Sequence, residues 1–108
     1  EHAWRDGGQP WKTGPTLAFG ADGWLSVQGT KLLEIPRGVW VHYQIDCALG
    51  DRADGSFSLS VTLPGQQPKR FAKLHCDDGF RKLAWCGFVS VADGPAAIYL
   101  DNLAIEPR

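Results

Sequence analysis

The sequence predicts an all-β fold, an antiparallel β-sandwich of the jelly-roll kind, on three observations. Residues 39–63 contain two runs in which apolar and polar side chains alternate, as they do along a strand that buries one face. Thirteen glycines and seven prolines divide the 108-residue chain into short segments. No window keeps the helical period, and Ala, Leu, Glu and Lys do not cluster as they do in helices. Short strands joined by tight turns are the pattern of a sandwich.

A hairpin over residues 39–63 is the centre of the predicted fold. Asp54 and Gly55 lie between its two arms, and glycine supplies the positive φ that a tight reversal needs. One face of the hairpin is apolar and the other polar, so we expect it to lie on a core. This face and two later positions supply the residues expected to be buried: Val41, Tyr43, Ile45, Leu49, Phe57, Leu59, Val61, Phe88 and Leu100.

Shorter strands are predicted on both sides of the hairpin. Ahead of it come an edge strand and three further strands, at residues 2–6, 15–20, 23–28 and 31–35. After it come a mixed strand, a central strand apolar on both faces and a last strand, at residues 69–76, 83–91 and 97–105. Ala-Asp-Gly recurs at 21–23, 53–55 and 92–94 at unequal intervals, which indicates shared turn chemistry and no repeat.

The composition indicates one domain and excludes some partners. A chain of 108 residues is near the usual domain size, so we expect a single module over residues 1–108. Eleven Lys and Arg nearly balance twelve Asp and Glu, for a net charge of -1. The chain therefore lacks the basic footprint that nucleic acid or an anionic membrane would require. No run approaches the roughly 18 apolar residues of a membrane-spanning helix.

Three cysteines leave two arrangements open. Cys47 is on the apolar face of the hairpin and is expected to be a small buried hydrophobe. Cys76 and Cys86 flank a turn, so they form a disulfide if their strands meet; otherwise all three thiols stay reduced and only pack. A metal site is disfavoured, since neither CxxC nor HxxxH spacing occurs.

Several short motifs follow one another along nearly the whole chain. They are WRD at 4–6, GP at 14–15, IPRGVWVH at 35–42, LG at 49–50, LPG at 63–65, WCGFVS at 85–90 and YLDN at 99–102. Together they resemble the laminin-G-like, or concanavalin-A-like, jelly-roll modules appended to secreted bacterial carbohydrate-active proteins. The resemblance implies a secreted, lectin-like module that binds a polysaccharide or other glycan and is attached to a polysaccharide-degrading enzyme.

Modules of that kind carry further strands ahead of the WRD segment. The resemblance therefore implies that this chain is an incomplete C-terminal portion, or that a second chain or domain completes the sheet. An incomplete sheet presents an edge and an apolar patch, which soluble proteins avoid. We therefore expect one sheet edge to pair with another polypeptide.

The candidate glycan-binding surface is the polar face of the hairpin, extended by the last two strands if they pair nearby. Its residues are His42, Gln44, Asp46, Trp85, Tyr99 and Asp101. An aromatic ring packs on the apolar face of a pyranose, while amide and carboxylate groups bond its hydroxyls. The alternatives are an ordinary solvated face, and a platform built instead from Trp4, Trp11 or Trp24.

Two other kinds of function stay open. The first is a structural module that packs on a neighbouring domain; such a module hides its aromatic rings, whereas a binder exposes two or more on one face. The second is a polysaccharide lyase, which uses the residue types of His42, Gln44 and Tyr99. The chain lacks the basic groove that would hold an anionic polymer, and it lacks the paired carboxylates of a glycosidase. A non-catalytic module is therefore favoured.

A structural calcium ion is the one cofactor considered. By resemblance to calcium-bearing lectin-like sandwiches, Asp101 is a candidate ligand, because Ca²⁺ takes carboxylate and carbonyl oxygens. One carboxylate falls short of a site, and no DxDxDG loop is present. A hydrogen bond from water or a backbone amide is the alternative role for Asp101.

Overall fold

Two antiparallel sheets make up the computed structural model, which describes residues 1–90 and 97–106. The strands are β1 (His2–Arg5), β2 (Thr13–Phe19), β3 (Trp24–Val27), β4 (Thr30–Glu34), β5 (His42–Asp46), β6 (Ser56–Thr62), β7 (Lys69–His75) and β8 (Trp85–Phe88). One sheet has the order β4-β3-β2-β1-β8 and the other β5-β6-β7. The all-β prediction is confirmed. The helical content of the described residues is one 3₁₀ turn, Gly50–Arg52, and they include no helix that could cross a membrane.

One apolar core lies between the two sheets. The five-stranded sheet contributes Leu17, Leu25 and Val27, and the opposing sheet contributes Phe57, Leu59, Val61 and Leu63. The rings of Phe19 and Tyr43 meet edge to face across the sandwich, with centroids 5.6 Å apart. Burial raises the pKa of the Tyr43 hydroxyl to about 12, because the ionised form would lose its hydration.

The central hairpin consists of β5 and β6, which pair antiparallel and turn their apolar side chains towards the core as predicted. His42 pairs with Thr62 and Asp46 with Ser58. Asp54 Oδ1 accepts a hydrogen bond of 3.0 Å from the Ser56 backbone N–H, which fixes the turn. Of the residues expected to be buried, those of β6 are fully buried, and Val41, Tyr43 and Ile45 pack half-buried against the core.

The prediction of burial is wrong for Leu49, Phe88 and Leu100, which are 39%, 38% and 52% exposed. Leu49 comes after β5 has ended, where the chain enters the 3₁₀ turn, so it no longer follows the alternation of the strand. Phe88 lies on β8, which pairs only with β1 in the described part of the chain and forms a sheet edge. Leu100 lies outside both sheets.

Two predicted strands near the C-terminus also need correction. The run 83–91 forms the four-residue edge strand β8 and no central strand; its last residue and the Ala-Asp-Gly at 92–94 lie outside the described residues. Residues 97–105 contain no strand. Both runs have strand-like composition, but a strand also needs a partner, and alternation within one segment carries no information about which edge receives it.

Candidate functional site

The six predicted glycan-binding residues do not lie on one surface. His42, Gln44 and Asp46 share the outward face of β5, as expected. Trp85, in contrast, begins β8 at the edge of the other sheet. Tyr99 is 81% exposed, and neither it nor the exposed Asp101 belongs to a strand.

Polar groups on the predicted surface already have partners. Gln44 Nε2 donates to Asp46 Oδ2 at 3.1 Å. Asp101 Oδ1 accepts a hydrogen bond of 2.9 Å from the Asn102 backbone N–H, which is the alternative considered for it above. Over residues 1–90 and 97–106 no three His, Cys, Asp or Glu side chains are grouped to hold a metal ion.

A different group of residues combines exposed aromatic rings with a cation that has no salt bridge to the residues the structure describes. The Arg5 Cζ atom lies 4.6 Å from the ring centroid of Trp11 and 4.6 Å from that of Trp85. Trp11 is 51% exposed and Trp85 is 40% exposed. One guanidinium is thus shared by two indoles that remain open to solvent. We refer to Arg5, Trp11 and Trp85 as the Arg5 cluster.

The sheet itself places two members of the Arg5 cluster side by side. Arg5 and Trp85 are direct partners across the antiparallel pair β1–β8, so their side chains project from the same face. Gly87, two residues along β8, gives the Trp85 ring its position: a Cβ there would lie 2.6 Å from Trp85 Cζ2. A residue larger than glycine would therefore displace the indole.

Trp11, the third member of the Arg5 cluster, lies in a tight loop between β1 and β2. The Asp6 backbone N–H bonds to the Lys12 carbonyl at 3.2 Å, and Asp6 Oδ1 accepts from the backbone N–H groups of Gly8 (2.9 Å) and Lys12 (2.8 Å). These bonds lower the pKa of the Asp6 carboxyl, with the bond from Gly8 the largest cause. The carboxylate nearest in sequence to Arg5 thus closes the loop that carries Trp11.

Arg5 has no anionic partner within the described ranges. The Lys31–Asp22 pair is the salt bridge found there, and the buried Arg5 Nε has no hydrogen-bond partner. Arg5, Trp11, Trp85 and the loop residues Gly7, Gly8 and Gln9 line an open depression of about 180 Å³. Since Nε is the buried nitrogen without a partner, the terminal nitrogens of the guanidinium are what the depression can present to a ligand.

A larger groove is less suited to binding a sugar. It measures about 510 Å³ and lies beside β2, where Thr13, Thr16, Gln28, His75 and Asp77 are among its lining residues. No tryptophan, tyrosine or phenylalanine lines it. A ligand there would find hydrogen-bonding groups but no flat apolar plate on which to stack.

On the opposite face of β1, the side chains of His2 and Trp4 have hydrogen-bond partners within the protein. Trp4 Nε1 donates to His2 Nε2 at 3.1 Å, and an indole N–H can only donate, so the His2 proton is on Nδ1 and faces the Gly87 carbonyl at 3.1 Å. The His2 and Phe88 rings stack with centroids 4.5 Å apart. Burial is the main cause that lowers the pKa of His2 from 6.5.

The three cysteines are all free thiols. Cys76 is buried in the core, and Cys47 packs against it. Burial raises the pKa of Cys47 to about 11, and the neighbouring Cys76 thiol contributes to the increase. The disulfide considered between Cys76 and Cys86 is not formed, and the reduced packing arrangement is the one observed.

Sequence reasoning assigned no role to Arg5 and named Trp11 only as an alternative platform. The signal that was available is WRD at 4–6, but neither the partner of a cation nor its distance from two rings can be read from a motif. Comparison of the chain with protein-family models, curated proteins and solved structures finds no match.

Proposed function

We propose that this β-sandwich is a non-catalytic module that binds glycan, and that the Arg5 cluster is its binding site. The observation that carries the proposal is the pair of exposed indoles, Trp11 and Trp85, held around one cation at the edge of a depression. Exposed aromatic rings on one contiguous face are the feature that separates a binder from a spacer. By the resemblance of its motifs, the module belongs to a secreted carbohydrate-active protein.

The geometry suits a short stretch of sugar. The C–H face of a pyranose is apolar and packs on an indole, while its hydroxyls need hydrogen-bonding groups at the rim. The depression of about 180 Å³ is smaller than the roughly 300–1,000 Å³ of pockets for drug-sized ligands. It therefore suits one sugar unit or a chain end, with the neighbouring units in solvent.

The test is a binding titration of the parent and three tryptophan variants against a panel of polysaccharides, followed by a thermal melt of each variant. Trp11→Ala and Trp85→Ala should each cost about 1–2 kcal/mol of binding, a five- to thirty-fold loss of affinity. Trp40→Ala is the matched control, because Trp40 is 65% exposed and lies outside the cluster. A parent that binds no polysaccharide, or a control that loses as much as Trp85→Ala, contradicts the proposal.

A second candidate function is packing on a neighbouring domain. Four aliphatic side chains between residues 97 and 106 are more than half exposed: Ile98, Leu100, Leu103 and Ile105. Such a run favours a surface that another polypeptide covers. Light scattering tests the case in which the covering polypeptide is a second copy of the chain: Leu100→Lys with Leu103→Lys should abolish self-association of the parent and leave glycan binding unchanged if the two functions are separate.

A further inference from the structure

We propose that the glycan is acidic, and that Arg5 binds the carboxylate of a single uronic acid residue placed against Trp11 and Trp85. This inference rests on the proposed function and names the chemical class of its ligand. It follows from a cation that has two aromatic neighbours and no anion among the residues described.

The terminal N–H groups are the part of Arg5 that a ligand can reach. The Arg5 Cζ atom lies over the rings of Trp11 and Trp85, where the negative face of an indole attracts a cation. Because Nε is buried without a partner, the edge formed by the two terminal nitrogens is what remains for hydrogen bonds to a ligand. A carboxylate meets that edge with two parallel N–H···O bonds, an arrangement that a hydroxyl cannot copy and that a lysine cannot replace.

None of the residues that the structure describes pairs a carboxylate with Arg5. Asp6 follows Arg5 directly, at the start of the loop between β1 and β2, but the two side chains form no salt bridge. The Asp6 carboxylate is held by the backbone N–H groups of Gly8 and Lys12. Gln9, which also lines the depression, is neutral. Among the described residues the site therefore carries one positive charge that no carboxylate offsets, and a ligand that carries an anion neutralises it.

A sugar acid fits better than a polyanion. The chain has a net charge of -1, and Arg5 is the one charged residue among those that line the depression, so the site suits a single anionic group. A uronic acid carries its carboxylate on the pyranose ring itself. The ring can therefore rest on an exposed indole while the carboxylate reaches the guanidinium edge, and both contacts come from the same residue of the glycan.

The experiment compares each acid with its own neutral form. Oligosaccharides of galacturonate, glucuronate and mannuronate, each with its methyl ester, are titrated into the parent protein by calorimetry. A sulfated galactan oligosaccharide is included, because a sulfate ester presents similar oxygens without the planar pair. We expect at least one acid to bind about ten-fold more tightly than its ester, and more tightly than the sulfated sugar, because charge-assisted bidentate bonds are lost in the ester.

Two variants assign that preference to Arg5. Arg5→Lys keeps the charge but not the planar edge, so most of the preference for acid over ester should disappear. Arg5→Gln should remove all of it, while binding of the ester changes by less than about three-fold if the rings stay in place. If Arg5→Gln weakens acid and ester equally, Arg5 only positions the rings and the inference is overturned.

The two proposals fail in different ways. If acid and ester bind the parent equally, and binding still depends on Trp11 and Trp85, the glycan-binding function stands and the uronate inference falls. If the sulfated sugar is preferred to every uronate, the carboxylate is the wrong anion. If no sugar binds at all, both proposals fall. If one Arg5 variant fails to fold, the ratio of acid to ester in the parent still decides whether the ligand is acidic, and the other Arg5 variant decides whether Arg5 binds the carboxylate.

Discussion

Two cations on the five-stranded sheet lie against tryptophan, and among the described residues only one of them is paired with a carboxylate. Lys31 Nζ lies 5.7 Å from the Trp24 ring centroid and 2.8 Å from Asp22 Oδ2. Arg5 Cζ lies 4.6 Å from two indole centroids and forms no salt bridge with the described residues. The Lys31 site thus contains its own anion, whereas the Arg5 cluster contains none among the described residues. This difference is the basis on which we propose that the Arg5 cluster binds a ligand.

The origin of the difference is local. Asp22 lies in the turn that joins β2 and β3, where its Oδ1 also accepts a bond of 3.0 Å from the Trp24 backbone N–H. The lysine next to it is the main cause of the lowered pKa of the Asp22 carboxyl. Asp6 occupies the equivalent place after β1, but both of its bonds go to backbone N–H groups of the loop. The same aspartate turn chemistry thus neutralises one cation and leaves the other without an anion among the residues that the structure describes.

The largest expected effect is on the free energy of unfolding, and it shows whether the Arg5 cluster lies at the surface or belongs to the core. Leu59 is fully buried between the sheets, so Leu59→Ala should lower the free energy of unfolding by about 2–5 kcal/mol through the lost contacts and the cavity left behind. Trp85→Ala, at a position 40% exposed, should lower it much less. Urea denaturation measures both. A Trp85→Ala variant as unstable as Leu59→Ala would make the Arg5 cluster part of the core and end the comparison.

The second prediction gives Arg5 the anion that Lys31 already has. Gln9 lines the depression and is exposed, so Gln9→Glu places a carboxylate beside the guanidinium. We expect affinity for the preferred uronate to fall about ten-fold, because the protein's own carboxylate competes for the guanidinium and repels the ligand. Gln67→Glu adds the same charge in the exposed turn between β6 and β7 and is the control. Equal losses in both variants would indicate a general charge effect.

The third prediction removes the anion from the complete site. Asp22→Asn keeps an oxygen for the Trp24 backbone N–H but breaks the ion pair with Lys31. An exposed ion pair contributes little to stability, so the melting temperature should change only slightly. Uronate binding should change by less than about two-fold, since a single ring and a lysine do not replace the planar edge of Arg5. A new uronate site in this variant, detected as a second binding event, would show that the missing anion alone is sufficient.

The sequence was sufficient for the parts of the molecule in which one segment determines its own environment. The alternation in β5 and β6 and the Asp54-Gly55 turn fixed the hairpin and its buried face. The Arg5 cluster could not be predicted in this way, because its three residues are brought together by contacts between segments that are distant in the sequence. Trp85 meets Arg5 because β8 pairs with β1, and Trp11 arrives through a loop closed by Asp6. The composition of residues 83–91, apolar on both faces, and of residues 97–105 predicted strands but not their partners, which explains the errors there.

The smallest expected effect is a pH dependence of stability at the strand pair that carries Arg5 and Trp85, and not at the strands that carry Trp24 and Lys31. His2 holds β1 to β8, the strand pair that carries Arg5 and Trp85, through its bond to the Gly87 carbonyl. Its pKa is lowered in the folded protein, mainly by burial, from 6.5. As the pH falls through about 6.5, the unfolded chain therefore takes up this proton before the folded one does, and the stabilisation present at higher pH is progressively lost.

Protonation would also put a second donor at Nε2, opposite the Trp4 indole N–H. Amide hydrogen exchange between pH 7.5 and 5 should then show protection factors that fall in β1 and β8 and stay constant in β3 and β4, where Trp24 and Lys31 lie. His2→Gln removes the titrating group and should flatten the pH dependence of β1 and β8. If that dependence persists in the variant, or if β3 and β4 lose protection to the same extent, then His2 does not control the edge that presents the Arg5 cluster.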